Sequence, residues 1–295
     1  MSALQAIKPH EKDLGGGFVV RRLLPSALRQ AVGPFLFFDH FGPVSVRPDD
    51  QFDVRPHPHI GLATVTYLFE GAILHRDNLG FEQRIEPGAI NWMTAGRGIV
   101  HSERRPADLA GQHYTNHGLQ LWVALPAALE QVAPSFVHTP ADAIPQAAVQ
   151  GAAVRVLVGE AFGLRSPVAT LSPTLYLDLN LAPGQSFDLP MLAQEQALYA
   201  VTGSVSLSGE VLPERHLGVL SQASVLQAGP EGCRLVLVGG QPLGHRHIRW
   251  NFVSSDPARL DQAGRDWEAG VAEAGMGQVP GETERIPMPP RPGAH

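Results

Sequence analysis

Two short patterns in the first third of the chain combine residue types that could do chemistry: His57-Pro58-His59 and His101-Ser102-Glu103. In an extended strand the side chains at i and i+2 point to the same face, so each pattern offers two donors side by side. Two such strands lining one barrel interior bring four donors together. Three imidazoles and one carboxylate suit a divalent first-row metal, with Fe(II), Mn, Ni, Cu and Zn all compatible. The pairs are separated by 41 residues, and turn signals divide that stretch into hairpins. Spacing alone is a weak signal, since random order would give roughly 0.6 His-x-His in a chain of this composition. A third such pair, His245-Arg246-His247, has no His-x-Glu partner and is read as surface or interdomain packing. Context distinguishes the first two patterns. His57 and His59 precede a strong strand, and His101 and Glu103 follow a glycine-rich turn.

The elements that must position these residues read as short strands. Thr64-Val-Thr-Tyr-Leu-Phe69 is rich in β-branched and aromatic side chains, and turns are marked at Glu70-Gly71, Asp77 to Gly80, Glu86 to Gly88 and Ala95 to Gly98. Turn signals at this spacing, without a helical period, predict an all-β sandwich or barrel. The Ala- and Pro-rich stretch from Leu125 to Gln150 reads as an interdomain connection. Strand text then resumes with Thr174-Leu-Tyr-Leu-Asp-Leu-Asn-Leu181, which alternates, and Leu198 to Val205 echoes the spacing of Tyr67 to Ile73. That weak repeat suggests two barrels of about 100 residues each. Near the end, Asp256 can cap a helix begun by Pro257, with Leu260, Ala263 and Trp267 on one face. Beyond Gly275 an extended tail is expected. The expected organisation is a metal-binding barrel over 1–130, a connection over 131–150, a second barrel over 151–245, and a helix and tail over 246–295 that pack back on the body.

These motifs resemble the cupin family of small β barrels. Cupins carry His-x-His, a Glu three or four residues on, a Gly seven beyond it, and later Pro-x-Gly-x-x-His. Here His57-Pro-His59 fits, Gly71 falls seven after Thr64, and Gly96-Arg-Gly-Ile-Val-His101 fits with Gly in place of Pro. Ala63 and Thr64 stand where the cupin Glu is expected, and Glu103 is the substitute. That exchange marks the pirin branch. Leu14 to Arg22, Phe35 to Gly42, Pro56-His-Pro-His59, Asn91 to Glu103, Gly239 to Leu243 and the tail phrase Val279 to Glu284 all resemble pirin text. The resemblance implies a bicupin, two jelly-roll type barrels in tandem, whose first barrel binds iron through His57, His59, His101 and Glu103. It also implies a second barrel without metal, and Phe187-Asp-Leu-Pro190 indeed lacks histidine where the repeat would place one. Many pirins follow the second His with Arg-Gly-Phe-Glu-Thr, whereas Ile60 to Thr64 is largely apolar here.

The resemblance implies two main functional readings, with another cupin reaction such as isomerisation as a weaker third. The first is a dioxygenase of the quercetin 2,3-dioxygenase type, opening a small aromatic substrate such as a flavonol with O₂. Glu103 is then both a ligand and the general base that takes the hydroxyl proton. The alternative is a non-catalytic, redox-sensitive iron-binding regulator acting through a protein partner. The net charge of −6 gives no electrostatic footprint for nucleic acid, so direct DNA or RNA contact is not expected. No apolar run reaches membrane-span length. Cys233 is the only cysteine, which forbids an internal disulfide; with no apparent signal peptide, a cytoplasmic setting is expected. Gly15-Gly16-Gly17 is read as a backbone turn, Cys233 as a small buried hydrophobe, His40 and His75 as structural, with a place for His75 near the metal pocket as the alternative, and Trp92 and Trp122 as core.

Overall fold

The computed structural model describes residues 4–13, 17–50 and 52–290. Gly15 and Gly16 of the expected glycine turn fall outside the described residues, while Gly17 lies in a turn. Strands dominate, as the all-β reading expects, and Pro257–Ala269 is the one α-helix among the described residues.

The chain forms two compact units. One comprises Met1–Lys12, Val20–His40 and Thr139–Leu243, the other Asp13–Val19, Phe41–His138 and Gly244–His295. Packing and chain order therefore diverge at the N-terminus. Leu4–Ile7 pairs antiparallel with Leu217–Leu220, with Leu4 opposite Leu220, which ties the start of the chain to the C-terminal barrel.

In that barrel a seven-stranded sheet runs in the order Leu4–Ile7, Leu217–Leu220, Glu195–Thr202, Cys233–Gly240, Thr174–Leu181, Ala152–Val158, Gln146–Val149. A four-stranded sheet holds Ser186–Leu189, Ser224–Ala228, Val205–Leu207 and Glu210–Leu212. Both sheets contribute to one apolar core. Leu175, Leu177, Leu179 and Leu181 come from one strand and meet Phe187, Leu189 and Leu226 of the facing sheet. The alternating text of Thr174–Leu181 thus delivers its leucines to the interior, as the period of two demands. Its other face is covered as well: Tyr176 is fully buried against Phe35, and the Asp178 carboxylate is paired by Arg234. Cys233 lies in the same core, where burial pushes its thiol up to about 11.

The other unit holds a four-stranded sheet in the order Val54–His59, Ile99–Arg104, Ile73–Asp77, Glu82–Ile85. Its second sheet places Ser135–Thr139, Ile90–Thr94, Leu62–Glu70 and Tyr114–Ala124 side by side, followed by Phe35–Val46, whose residues from Phe41 onward belong to this unit. Leu62–Glu70, the strong strand of the sequence, is buried on both faces over seven residues. The stretch read as a plain connection carries strand after all, Ser135–Thr139 and Gln146–Val149. Both sit at sheet edges, where Ala- and Pro-rich text is tolerated because one side of the ladder needs no partner. The sequence repeat has a structural counterpart in two glycines. Gly71 and Gly203 each end a central strand with positive φ, and a Cβ there would lie 2.5 Å from the Thr115 carbonyl and 2.3 Å from the Gly232 carbonyl respectively.

The Pro257–Ala269 helix forms where the sequence placed it. The Asp256 side chain accepts from the Ala258 N–H at 2.9 Å, Pro257 opens the first turn, and Gly270 closes the helix in the left-handed conformation. Leu260, Ala263 and Trp267 turn inward onto Ile60, Val100, Phe252, Met276 and Val279. The tail then follows the same unit. Ile286 N–H donates to the Pro56 carbonyl at 2.8 Å, and Trp267 Nε1 donates to the Ile286 carbonyl at 3.1 Å. Helix and tail therefore buttress the outer side of the strands that carry His57, His59 and His101.

Candidate metal centre

Val54–His59 and Ile99–Arg104 pair antiparallel in a register that sets Ile99 opposite His59 and His101 opposite His57. The alternation of strand side chains then gathers the three imidazoles on one face. Ring centroids are 4.4 Å apart for His57 and His101, 5.0 Å for His57 and His59, and 5.1 Å for His59 and His101. One ligand-capable nitrogen from each of the three lies within 4.8 Å of the others, the only such group among the described residues. Gly96, with φ of 53°, makes the turn that starts the second strand. Trp122 of the facing sheet stands edge-on to His59 with centroids 5.3 Å apart, closing the interior side of the site.

The proton state of the cluster follows from its burial. Desolvation pulls the His57 imidazole down to about 4, against the opposing pull of its hydrogen bond to the Arg55 carbonyl. Burial, reinforced by the neighbouring His57, holds His59 and His101 well below the ordinary histidine range. All three rings are neutral at neutral pH, the form in which imidazole binds a metal. Their outward hydrogen bonds also fix which nitrogen is free. His57 Nδ1 donates to the Arg55 carbonyl at 2.9 Å, leaving Nε2 as its lone pair. His59 donates to the Asn251 backbone while its Nδ1 is buried without a partner, and His101 Nε2 is likewise buried without a partner. Leaving a buried polar atom unsatisfied costs about 1–3 kcal/mol, so two orphaned lone pairs in one cluster fit a bound cation. The donor set suits first-row divalent ions.

Glu103 follows His101 on the same strand, past a register shift that sets it opposite Val54 on one side and His75 on the other. It is half-buried and stands outside the three-imidazole group. Desolvation raises its carboxyl to about 7. The outer side of this strand is clamped by the tail. Ser102 Oγ donates to Glu282 at 2.8 Å, and Arg104 binds both Glu282 and Glu284. Arg104 in turn holds the Glu282 carboxyl below its ordinary value.

The remaining candidates separate cleanly. His40 donates or accepts at Tyr199 Oη, 2.6 Å away in the interior of the other unit, as a structural histidine. Trp92 and Trp122 are both buried. His245 is exposed and His247 half-buried, edge-on to each other at 5.0 Å, while Arg246 between them pairs with Glu130 at 2.8 Å. The C-terminal barrel holds an apolar core, with no metal-capable His, Cys, Asp or Glu cluster among its described residues. His75 is the residue the sequence understated. Its ring lies 5.3 Å from that of His101, and its one signal in the chain was the His75-Arg-Asp77 spacing, which puts a carboxylate on the same strand face.

Comparison with known proteins agrees with the fold. Residues 17–123 match the Pirin family and residues 176–273 match the Pirin C-terminal cupin domain. A pirin-like protein of Caulobacter vibrioides is 45% identical over 263 residues, covering 88% of this chain and 91% of that protein. Human pirin is 34% identical over 268 residues, covering 88% and 89%. The crystal structure of a quercetin 2,3-dioxygenase from Acinetobacter baumannii superposes with a TM-score of 0.89 at 32% identity, covering 99% of this chain and 97% of that one. The pirin matches over residues 17–123 and 176–273, together with 45% identity to the Caulobacter vibrioides protein, make this chain a member of the pirin family.

Proposed function

We propose that the chain is a metal-dependent dioxygenase of the quercetin 2,3-dioxygenase type, with Fe(II) held by His57, His59, His101 and Glu103. The observation that carries this reading is the convergence of three buried, neutral imidazoles with orphaned lone pairs at His59 Nδ1 and His101 Nε2. The likeness over nearly the full chain to the Acinetobacter baumannii quercetin 2,3-dioxygenase supports the reaction class. Iron held there would supply Lewis-acid and redox chemistry toward a flavonol and O₂. The protein does the rest. His57 and His59 are held in single tautomers by their bonds to the Arg55 carbonyl and the Asn251 backbone, so these donors need no rearrangement. Glu103, two residues from His101 on the same strand, would take the flavonol 3-hydroxyl proton as general base. Trp122, edge-on to His59, stands on the interior side of the site.

The test couples metal analysis to turnover. Protein purified without added metal is assayed for iron, manganese, nickel, copper and zinc, and quercetin loss in air is followed as each metal is restored. Metal-dependent ring opening with carbon monoxide release, abolished in Glu103→Ala, is the expected result. Tightly bound iron with no turnover of any flavonol overturns the enzyme and assigns the regulatory role. Absence of any bound first-row metal overturns both.

A further inference from the structure

Beside the three clustered imidazoles lies a fourth, and behind it a carboxylate. His75 and Asp77 occupy alternate positions on Ile73–Asp77, the strand paired to the other side of Ile99–Arg104, with Asp77 opposite His101 and His75 opposite Glu103. Both are buried, Asp77 completely. Asp77 is fixed from three directions. Its Oδ1 accepts from the Leu79 and Phe81 N–H groups at 2.9 and 3.1 Å, and its Oδ2 lies 3.0 Å from His75 Nε2. The His75 ring is stacked on Phe136 at 4.1 Å, which fixes its plane. His75 Nδ1 then meets His101 Nδ1 at 3.4 Å.

With Asp77 ionised and His75 neutral, these contacts admit one consistent assignment of protons. An ionised carboxylate only accepts, so His75 carries its proton on Nε2 and presents a lone pair at Nδ1. Two nitrogens facing each other must be one donor and one acceptor, so His101 carries its proton on Nδ1. That leaves the lone pair of His101 on Nε2, the atom buried without a partner in the cluster. We propose that Asp77 and His75 are positioning residues that lock His101 as an Nε2 donor toward the metal, in a carboxylate–imidazole–imidazole relay. The idea rests on the metal reading above but not on any particular reaction. It requires no change in the charge of His75. Outer partners of this kind orient the ligand and raise its basicity, and their loss costs 10- to 100-fold in metal affinity.

Asp77→Asn discriminates this from a role in packing. The asparagine oxygen continues to accept from Leu79 and Phe81, which forces its NH₂ toward His75 Nε2. His75 must then carry its proton on Nδ1 and donate to His101 Nδ1, driving the His101 proton onto Nε2 where it blocks a ligand bond. The experiment is nitrogen NMR of the metal-free, histidine-labelled full-length protein, with His101 assigned through His101→Gln, together with Fe(II) affinity by anaerobic chelator competition. The wild type is expected to show His101 protonated on Nδ1. Asp77→Asn is expected to show the opposite tautomer and about 10- to 100-fold weaker Fe(II) binding. His75→Phe, which keeps the stack on Phe136, is expected to weaken binding similarly. A wild-type His101 protonated on Nε2 overturns the relay whether or not any variant folds. Wild-type tautomer and affinity in Asp77→Asn overturn the relay alone. A wild type that binds no Fe(II) overturns the relay's role and the metal reading together.

Discussion

Protons and a cation compete for the same atoms at the proposed centre, and the direction of the contest is set by burial. The metal-free Glu103 carboxyl is raised from 4.5 to about 7. The unfolded chain releases that proton at lower pH, so this group's contribution to the stability of the metal-free fold is complete below about 4.5 and is lost as pH rises through about 7. His57 runs the other way. Its folded value of about 4 lies below the ordinary 6.5, so its contribution is present above 6.5 and is lost as pH falls toward 4. A divalent ion needs the ionised carboxylate and the neutral ring together. The gain in melting temperature on adding Fe(II) or Mn(II) should therefore grow from pH 6 to pH 8, and Glu103→Gln should flatten that slope. A gain that is equal at both pH values would remove Glu103 from the ligand set.

The elements that matter most to the site are the ones that hold its strands from outside. The Pro257–Ala269 helix buries Leu260, Ala263 and Trp267 against Ile60 and Val100, neighbours of His59 and His101 in sequence. Trp267→Ala should cost about 3–5 kcal/mol in urea unfolding, the range for emptying a large aromatic site. Asp256→Ala, which removes only the cap hydrogen bond, should cost about 1 kcal/mol. The tail acts more locally. Glu282 accepts from Ser102 and Arg104, which flank Glu103 on Ile99–Arg104. Glu282→Ala leaves a mostly buried guanidinium and hydroxyl underpaired, and should raise hydrogen exchange of the Ile99–Arg104 amides with little change in the Thr174–Leu181 strand. Uniform exchange across both strands would mean that the tail stabilises the molecule generally instead of clamping this strand.

At the scale of the whole molecule, two barrels of one fold have been put to different uses. The first surrounds polar, titratable side chains; the second fills the same space with Leu177, Leu179, Leu198, Leu235 and Phe187. Leu177→Ala should therefore destabilise the protein by about 2–5 kcal/mol, yet leave the metal content of the folded protein at the wild-type value. His57→Ala should do the reverse, losing metal at small cost to the metal-free fold. Loss of metal in Leu177→Ala protein that remains folded would contradict this division of labour.

What the sequence determined by itself was local and periodic. Alternation placed the leucines of Thr174–Leu181 inside, Asp256-Pro257 and the 3.6-residue spacing of Leu260, Ala263 and Trp267 defined the helix, and the i, i+2 pairs at His57 and His101 defined the donor strands. Each of these depends on backbone geometry a few residues long, so the chain states it directly. The tertiary structure alone decided what touches across long separations. It paired Leu4–Ile7 with Leu217–Leu220, built edge strands out of the Ala- and Pro-rich stretch around Ser135 and Gln146, and laid Glu282 against Ser102 and Arg104. It also set His75 and Asp77 behind His101. Strand register and hydrogen-bond direction are properties of paired strands, and no single strand's residues encode which neighbour it will meet.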